Sequence, residues 1–518
     1  MVSRQNFDRL VGRIKWGEDT LALVIFSAMS ILPVIETIAR LFGTNIIPAS
    51  QAIVQHCTLW IGFLGAVLAA RRNKLLALTR EPIFNQEGSL HLGRWIAKTM
   101  SFLIIISLAW GSFYLLKIEY KFPFEIAPNI PRWAAMVIMP VGFTLMAVQI
   151  YFKSYKQHIH RVTLIISGVF FAIISVTETV QEAVPVVWIG LGLILIALIY
   201  GAPIFTGLGG AAVLLFWSDF TSISAIPAEA YRIVVAPTLP TIPLFTLAGY
   251  LLAESNASTR LVNVFRSLFG WIPGGTPVIV VLLCGFFTAL TGGSGVTILA
   301  LGGLLLPLLV KEGYSKTFAL GLITVSGSIG LLFPPSLPAI IYGVRAGISV
   351  KNVFIAGLMP GTLLIVMIST WAFIQGRHQK VKIHVFDPKK ALKVCLETSW
   401  ELVIPVLILL GVFAGYTNLV ETAAIIVLYI FIIEFFVYKD ITLNQLPSII
   451  IDCATLIGGV LIIIGIAMGL TSYLVDAQIP MQLLAWVKAA ISSKYYFLLM
   501  LNIFLLGAGC LMDIFSAI

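Results

Sequence analysis

The sequence predicts an all-α polytopic membrane protein, and its composition, its apolar segments and the placement of its basic residues favour that fold. Of the 518 residues, 59% are hydrophobic and only 11% are charged, whereas a soluble domain carries about 25% charged residues. A helix crosses the bilayer with roughly 20 apolar residues, and stretches of that kind recur along the chain. We therefore expect a chain that crosses a membrane many times.

Residues 1–155 contain four long apolar segments and predict a four-helix membrane region. The segments lie at 21–42, 50–70, 95–116 and 132–152. A fifth, shorter segment at 162–178 predicts a connecting helix within a linker of residues 156–185. No cleavable signal peptide is expected, because residues 1–20 are polar and basic and no small-residue cleavage site follows the first apolar segment.

Residues 186–518 predict a transporter domain that is built from two inverted repeats. Repeat one (186–376) has three crossings, then an amphipathic arm, an apolar hairpin, a segment broken by prolines and a last helix. The arm is predicted at 257–271 and the hairpin at 276–310. Repeat two (398–518) restarts the same order with the opposite direction of crossing and has its arm at 480–491. Inverted repeats of this kind are the architecture of many secondary transporters.

The basic residues predict the orientation of the chain. With the N-terminus in the cytoplasm and the hairpin treated as re-entrant, most of the 33 Lys and Arg residues fall in cytoplasmic loops, which is the bias that sets membrane topology. The polar stretch from Arg377 to Lys393 is predicted to be one of these loops. The net charge of +10 therefore indicates no nucleic-acid partner. The five cysteines form no CxxC or Cys/His cluster, so neither a disulfide framework nor a zinc site is expected.

Two interruptions of apolar segments predict a transport site, because unbroken helices hide the backbone polar groups that an ion or an anion needs. The hairpin is interrupted at its centre, where glycines allow a non-helical turn; the residues are Thr291, Gly292, Gly293, Ser294 and Gly295. Free carbonyls there could coordinate Na⁺, and the amides that open the next half-helix could face an anion. Prolines break a second segment, and small polar residues precede that break; the residues are Ser326, Ser328, Pro334, Pro335 and Ser336.

Each interruption has a simpler interpretation, a helix kink or a close helix contact, since glycine and proline are common in membrane helices. Their occurrence together within a repeat favours a binding site. Asp513 is a further candidate, because an ionisable residue at membrane depth is a functional candidate by default.

These motifs resemble the large (DctM-like) membrane subunit of tripartite ATP-independent periplasmic (TRAP) transporters, as do Ile242–Gly249, Trp271–Gly275 and Ala356–Gly361. The front region, with Leu59–Gly65 followed by Arg71-Arg72, resembles the four-helix small (DctQ-like) subunit. The resemblance implies an elevator-type fold of the ion-transporter superfamily with re-entrant hairpins, in the bacterial inner membrane. It implies a permease, not an enzyme, that imports an organic acid (a carboxylate) by symport with Na⁺ after a periplasmic substrate-binding protein delivers it.

The resemblance also implies functional residues. It assigns a Na⁺ site and the adjoining substrate site to the hairpin interruption and the proline break, with the ion near Gly292, Ser294, Pro334 and Ser336. Na⁺ is the coupling ion, and no cofactor is implied. The substrate itself is not predicted beyond its class.

One departure from the family pattern leaves alternatives open. Repeat two stops at Ile518, where the family continues with a return limb and a second proline-broken helix, so the chain is either a fragment or a truncated, inactive permease. The alternative function is a related carboxylate symporter that works without a binding protein, although such a carrier would not need residues 1–155. A polytopic enzyme is not expected, because ionisable residues do not cluster at membrane depth. No phosphate-binding loop indicates ATP use.

Overall fold

The computed structural model describes residues 4–43, 47, 49–78, 87–153, 162–169, 181, 184–272, 275–377, 386–491, 493–511 and 514. The described residues are almost entirely helical, and two short antiparallel strands, Glu125–Ala127 and Ile130–Pro131, form their single sheet. Within these residues, nine helices are long and apolar enough to cross a membrane, or ten if the bent pair Pro388–Glu397 and Ser399–Phe413 is one span. The predicted all-α polytopic fold is confirmed.

The helices of the first region follow the predicted apolar segments. They are Arg4–Leu41, Ser50–Arg72, Glu87–Lys121, Arg132–Met136 and Ile138–Lys153. Residues 162–169 are helical, and the remainder of the predicted connecting helix lies outside the described residues.

The second region contains both arms and the hairpin within two residues of their predicted positions. The helices of repeat one are Val184–Ile199, Ile204–Ser218, Ala225–Val234, Thr241–Glu254, Ala257–Phe269, Gly275–Thr291, Ser294–Lys311, Lys316–Ile329, Leu337–Ala346 and Val350–Arg377. Those of repeat two are Pro388–Glu397, Ser399–Phe413, Leu419–Ile432 with a π-helical turn Ile433–Val437, Leu446–Asp476, Ile479–Ala490 and Lys494–Leu511.

The loop predicted from Arg377 to Lys393 is wrong in its second half, where a helix begins at Pro388. The side chain of Asp387 caps this helix by accepting hydrogen bonds from the backbone amides of Lys389 at 3.0 Å and Lys390 at 3.3 Å. Proline suits the first helical position, because its fixed φ is helical and its missing N–H would have no partner there. An Asp-Pro pair is a helix start signal, and here it begins a helix within a highly charged stretch.

The chain folds into two compact units, each assembled from separate stretches. The first unit contains Met1–Ala22, Gln55–Ala236 and Ala454–Ile518, and the second contains Leu23–Val54 and Pro237–Cys453. Inside the first unit, the backbones of Gly65 and Gly458 lie so close together that a Cβ on either residue would collide with the other. Close backbone approach at small residues is how membrane helices pack tightly. The predicted domain limits at 155 and 185 stay a prediction.

Candidate functional site

The hairpin interruption lies in the second unit and forms a tight turn between two helices. The first limb ends at Thr291, and the second limb begins at Ser294. Gly292 between them has φ of +69°, a conformation that glycine adopts without steric cost. A Cβ at this position would also collide with the side chain of Leu337. We call residues 291–295 the tip.

Three threonine hydroxyls meet beneath the tip, and all three residues are completely buried. The hydroxyl of Thr288 donates to Oγ1 of Thr297 at 2.8 Å, and Thr291 Oγ1 lies 2.9 Å from the same atom. Thr297 in turn donates to the carbonyl oxygen of Gly293 at 3.4 Å. The tip is therefore supported by a small network of oxygen atoms that joins the two limbs.

The second interruption follows the helix Lys316–Ile329. That helix tightens into a 3₁₀ turn, Gly330–Leu332, and the chain then passes through Phe333 and the two prolines, whose peptide bond is cis. Ser336 starts the next helix: its hydroxyl accepts from the amide of Ala339 at 3.5 Å and donates to the carbonyl oxygen of Leu331. The prolines keep the first helix from continuing, and the serine N-cap begins the next helix. We call residues 330–336 the break.

Close packing brings the tip and the break together. Gly292 abuts Leu337, the first residue after the break, and the Cβ position of Gly327 lies 3.5 Å from the carbonyl oxygen of Ser294. Gly330 in the break packs so closely against the first limb that an added Cβ would collide with the carbonyl oxygen of Gly285. Glycine at these positions lets backbone polar groups approach one another directly. The hairpin and the segment that contains the break are therefore packed against each other at both interruptions.

The predicted site residues differ in their burial and in their hydrogen bonding. Ser326 is completely buried, and its hydroxyl has no hydrogen-bond partner among the described residues, which costs about 1–3 kcal/mol unless a ligand satisfies it. Ser328 is exposed and donates to the carbonyl oxygen of Val325 in its own helix at 2.8 Å. Ser294 is half-buried and Gly295 is exposed. Asp513 lies outside the described residues.

Sequence reasoning missed Thr288 and Thr297. Thr288 lies one helical turn before Thr291, a spacing that places both on one face. Thr297 lies one turn into the second limb, where the hairpin folds it back onto the first. The spacing of these threonines can be seen in the sequence, but it predicts a hydroxyl network only when the turn between the limbs is known.

The chemistry of the site is neutral. In the part of the chain that the structure describes, no three His, Cys, Asp or Glu side chains cluster as metal ligands. The site offers hydroxyl and carbonyl oxygens instead, and hard cations prefer oxygen ligands. Beside the break lies an apolar cavity of about 280 Å³, whose lining includes Phe333, Pro334 and Pro335. The arrangement offers neutral oxygen atoms of the kind that hard cations prefer.

The arm Ala257–Phe269 is fixed by charges in the same unit. Arg260 forms ion pairs with Glu401, with Glu434 at 2.9 Å and with Asp440 at 2.5 Å. Burial opposes the charge of Arg260, but hydrogen bonds from its guanidinium to Asp440 and Glu401 raise its pKa above the ordinary value. Burial of Asp440 would raise its pKa, yet hydrogen bonds from Asn256 and Arg260 bring that pKa below its ordinary value. Both groups are therefore charged near neutral pH.

Two family profiles match the chain. The profile described as "Tripartite ATP-independent periplasmic transporter, DctM component" matches residues 191–518. The profile described as "Tripartite ATP-independent periplasmic transporters, DctQ component" matches residues 29–161. Tip, break and arm all fall within the first match.

Curated relatives agree with the profiles. The isethionate TRAP transporter permease protein DctMQ of Oleidesulfovibrio alaskensis is 25% identical over 485 residues, which cover 90% of this chain and 75% of the relative. The C4-dicarboxylate TRAP transporter large permease protein DctM of Pseudomonas aeruginosa is 32% identical over 311 residues, or 59% of this chain and 72% of the relative. The ectoine TRAP transporter large permease protein TeaC of Halomonas elongata is 29% identical over 294 residues, which cover 55% of this chain and 68% of the relative.

Proposed function

The chain belongs to the tripartite ATP-independent periplasmic (TRAP) transporter family, with the small and the large membrane subunit in one polypeptide, and we propose that it imports an organic acid together with Na⁺. It is a permease component and not an enzyme. The observation that supports the proposal most strongly is the packing of the hairpin against the proline-broken segment, with Gly292 against Leu337 and a network of hydroxyl oxygens inside the hairpin. Secondary transporters bind coupling ions at such discontinuous helices.

The Na⁺ ion is proposed to lie near Gly292, Ser294, Pro334 and Ser336. The last carbonyl groups of a helix lack intrahelical partners, and those at the end of the first limb are proposed to face the ion. The buried hydroxyl of Ser326 has no partner among the described residues and precedes Gly327, which packs against Ser294, and this proximity supports Ser326 as a further ligand. These groups carry no formal charge, so the positive charge of the ion is available to an anionic substrate.

The substrate is proposed to be a carboxylate that approaches the N-terminal end of the second limb. The first amides of a helix lack intrahelical partners and carry the positive end of the helix dipole. Both features favour an anion there. The names of the relatives include isethionate, C4-dicarboxylates and ectoine, so they do not point to one substrate.

The setting is proposed to be the bacterial inner membrane, with the N-terminus in the cytoplasm and a periplasmic substrate-binding protein docking on the outer face. The orientation is supported by the distribution of Lys and Arg residues. The binding protein is supported by family membership.

The test is uptake of labelled organic acids into proteoliposomes that contain this chain. We expect uptake that requires an inward Na⁺ gradient, is abolished when K⁺ replaces Na⁺, and requires the cognate binding protein. Uptake that needs Na⁺ but no binding protein would instead identify a related carboxylate symporter. Uptake that is unchanged when K⁺ replaces Na⁺ would contradict the proposed coupling.

A further inference from the structure

A separate cavity of about 560 Å³ lies within the first unit, away from the tip and the break. Its walls include Asn73 at the end of the helix Ser50–Arg72, Lys98 near the start of the apolar span Leu92–Lys121, and Ile150 near the end of the helix Ile138–Lys153. Tyr200 and Pro203 contribute from the connection between two short helices of repeat one. The three helices are long and apolar enough to cross a membrane, and the cavity lies near their ends, where the headgroups of a surrounding bilayer are expected.

The cavity is basic. Arg94 and Lys98 both line it, and their spacing of four residues places them on one face of their helix. Among the residues that the structure describes, no Asp or Glu lines the cavity, and neither cation forms an ion pair with any of them. Arg71 nearby on the chain provides a contrast, because it is paired with Glu18 at 2.7 Å and with Asp19.

The remaining lining combines polar groups with apolar walls. Asn73, Ser101 and Tyr200 supply polar atoms, whereas Ala97 and Ala202 are buried alanines. The wall that contains Ala77 and Pro203 is fixed by backbone pairing. The amide of Ile204 donates to the carbonyl oxygen of Leu76 at 2.9 Å, and Ala77 pairs with Pro203. The cavity is therefore a built feature that both the small-subunit and the large-subunit stretch help to form.

We propose that this cavity binds a phosphate ester, and specifically the headgroup of an anionic phospholipid. A guanidinium with a neighbouring ammonium suits a phosphate, because the guanidinium donates two parallel hydrogen bonds and the ammonium adds a point charge. Basic pockets between membrane helices at the cytoplasmic side bind anionic headgroups. Such a lipid would contact Arg94 and Lys98 of the small-subunit stretch and Tyr200 of the large-subunit stretch at the same time, and so join them.

The test measures lipid binding to the purified full chain. Native mass spectrometry after delipidation is combined with the shift of the unfolding temperature on adding phosphatidylglycerol, phosphatidylcholine or glycerol 3-phosphate. The variant R94Q/K98Q removes both charges, and R94K/K98R keeps them. K117Q/K121Q is the matched control, because Lys117 and Lys121 are exposed at the opposite end of the same helix.

We expect phosphatidylglycerol to bind and stabilise the wild type more than phosphatidylcholine does. Affinity should fall roughly tenfold in R94Q/K98Q, stay at the wild-type level in K117Q/K121Q and be largely kept in R94K/K98R. If R94Q/K98Q does not fold, the single variant K98Q replaces it. Equal stabilisation by glycerol 3-phosphate would keep the anion site but identify a soluble phosphate ester as its ligand. Equal binding of phosphatidylglycerol by R94Q/K98Q, or by K98Q in its place, or no preference for any anion, would overturn the proposal.

Discussion

Thr297 is the residue on which the hydroxyl network of the candidate site depends. Its single Oγ1 atom accepts from Thr288, pairs with Thr291 and donates to the carbonyl oxygen of Gly293. A buried hydroxyl without a partner is costly, so these three threonines stabilise one another or a bound ion. The same oxygens can serve either purpose, which makes the network sensitive to what occupies the site.

Gly292 provides a sharp test at the residue scale, because alanine there meets two obstacles. The left-handed φ of +69° disfavours any Cβ, and the side chain of Leu337 occupies the space. We expect G292A to lower the stability by about 1–3 kcal/mol and to abolish uptake, since the tip must move away from Leu337 to fit. G303A is the control, because Gly303 lies on the second limb outside the tip and nothing lies within 4 Å of a Cβ there. Similar thermal unfolding and uptake for both variants would contradict this account of the tip.

At the scale of elements, the arm is held by one arginine among three carboxylates. Glu401 and Glu434 are buried almost completely, with side-chain exposures of 0% and 1%. The hydroxyl of Tyr438 also donates to Glu401 at 2.8 Å. Because buried carboxylates are stable only when paired, the arm and the helices of repeat two in this unit depend on the same cation.

We expect R260Q to destabilise the chain by about 3–5 kcal/mol, since it leaves buried carboxylates without a cation. R232Q is the control: Arg232 forms an exposed ion pair with Glu229, and such pairs contribute about 0–1 kcal/mol. Thermal unfolding in detergent measures both. A loss in R260Q no larger than that in R232Q would show that the arm is not fixed by this network.

Asp440 gives this network a defined pH dependence. Its pKa is lower in the folded chain than its ordinary value of 3.8, so its contribution to stability is fully present above that value and is lost as the pH falls below it. We therefore expect the difference in unfolding temperature between wild type and D440N to be constant from neutral pH down to about pH 5 and to shrink at lower pH. A difference that does not shrink as the pH falls from about 5 to about 3 would contradict the role of the ionised Asp440 carboxylate.

For the molecule as a whole, the sequence predicted the linear order of elements but not their grouping in space. Apolar periodicity located the hairpin and both arms, and the prolines located the break, because these features are local. The contact of Arg40 with Glu421 could not be predicted: these residues are 381 positions apart, both lie in the second unit, and Glu421 also forms a capping box with Asn418. The roles of Thr288, Thr297 and Arg260 likewise depend on partners that only the fold supplies.

The most direct test of the central claim, that tip and break form a Na⁺ site, is the unfolding temperature of the purified chain in NaCl and in KCl of equal concentration. Na⁺ at ten times its dissociation constant should stabilise the wild type by about 1.4 kcal/mol relative to K⁺. T291V and T297V should lose this difference, whereas T471V should keep it, because the hydroxyl of Thr471 bonds to its own helix at Ala467. Equal unfolding temperatures of the wild type in both salts, or a Na⁺ effect that survives in T291V and T297V, would contradict the claim.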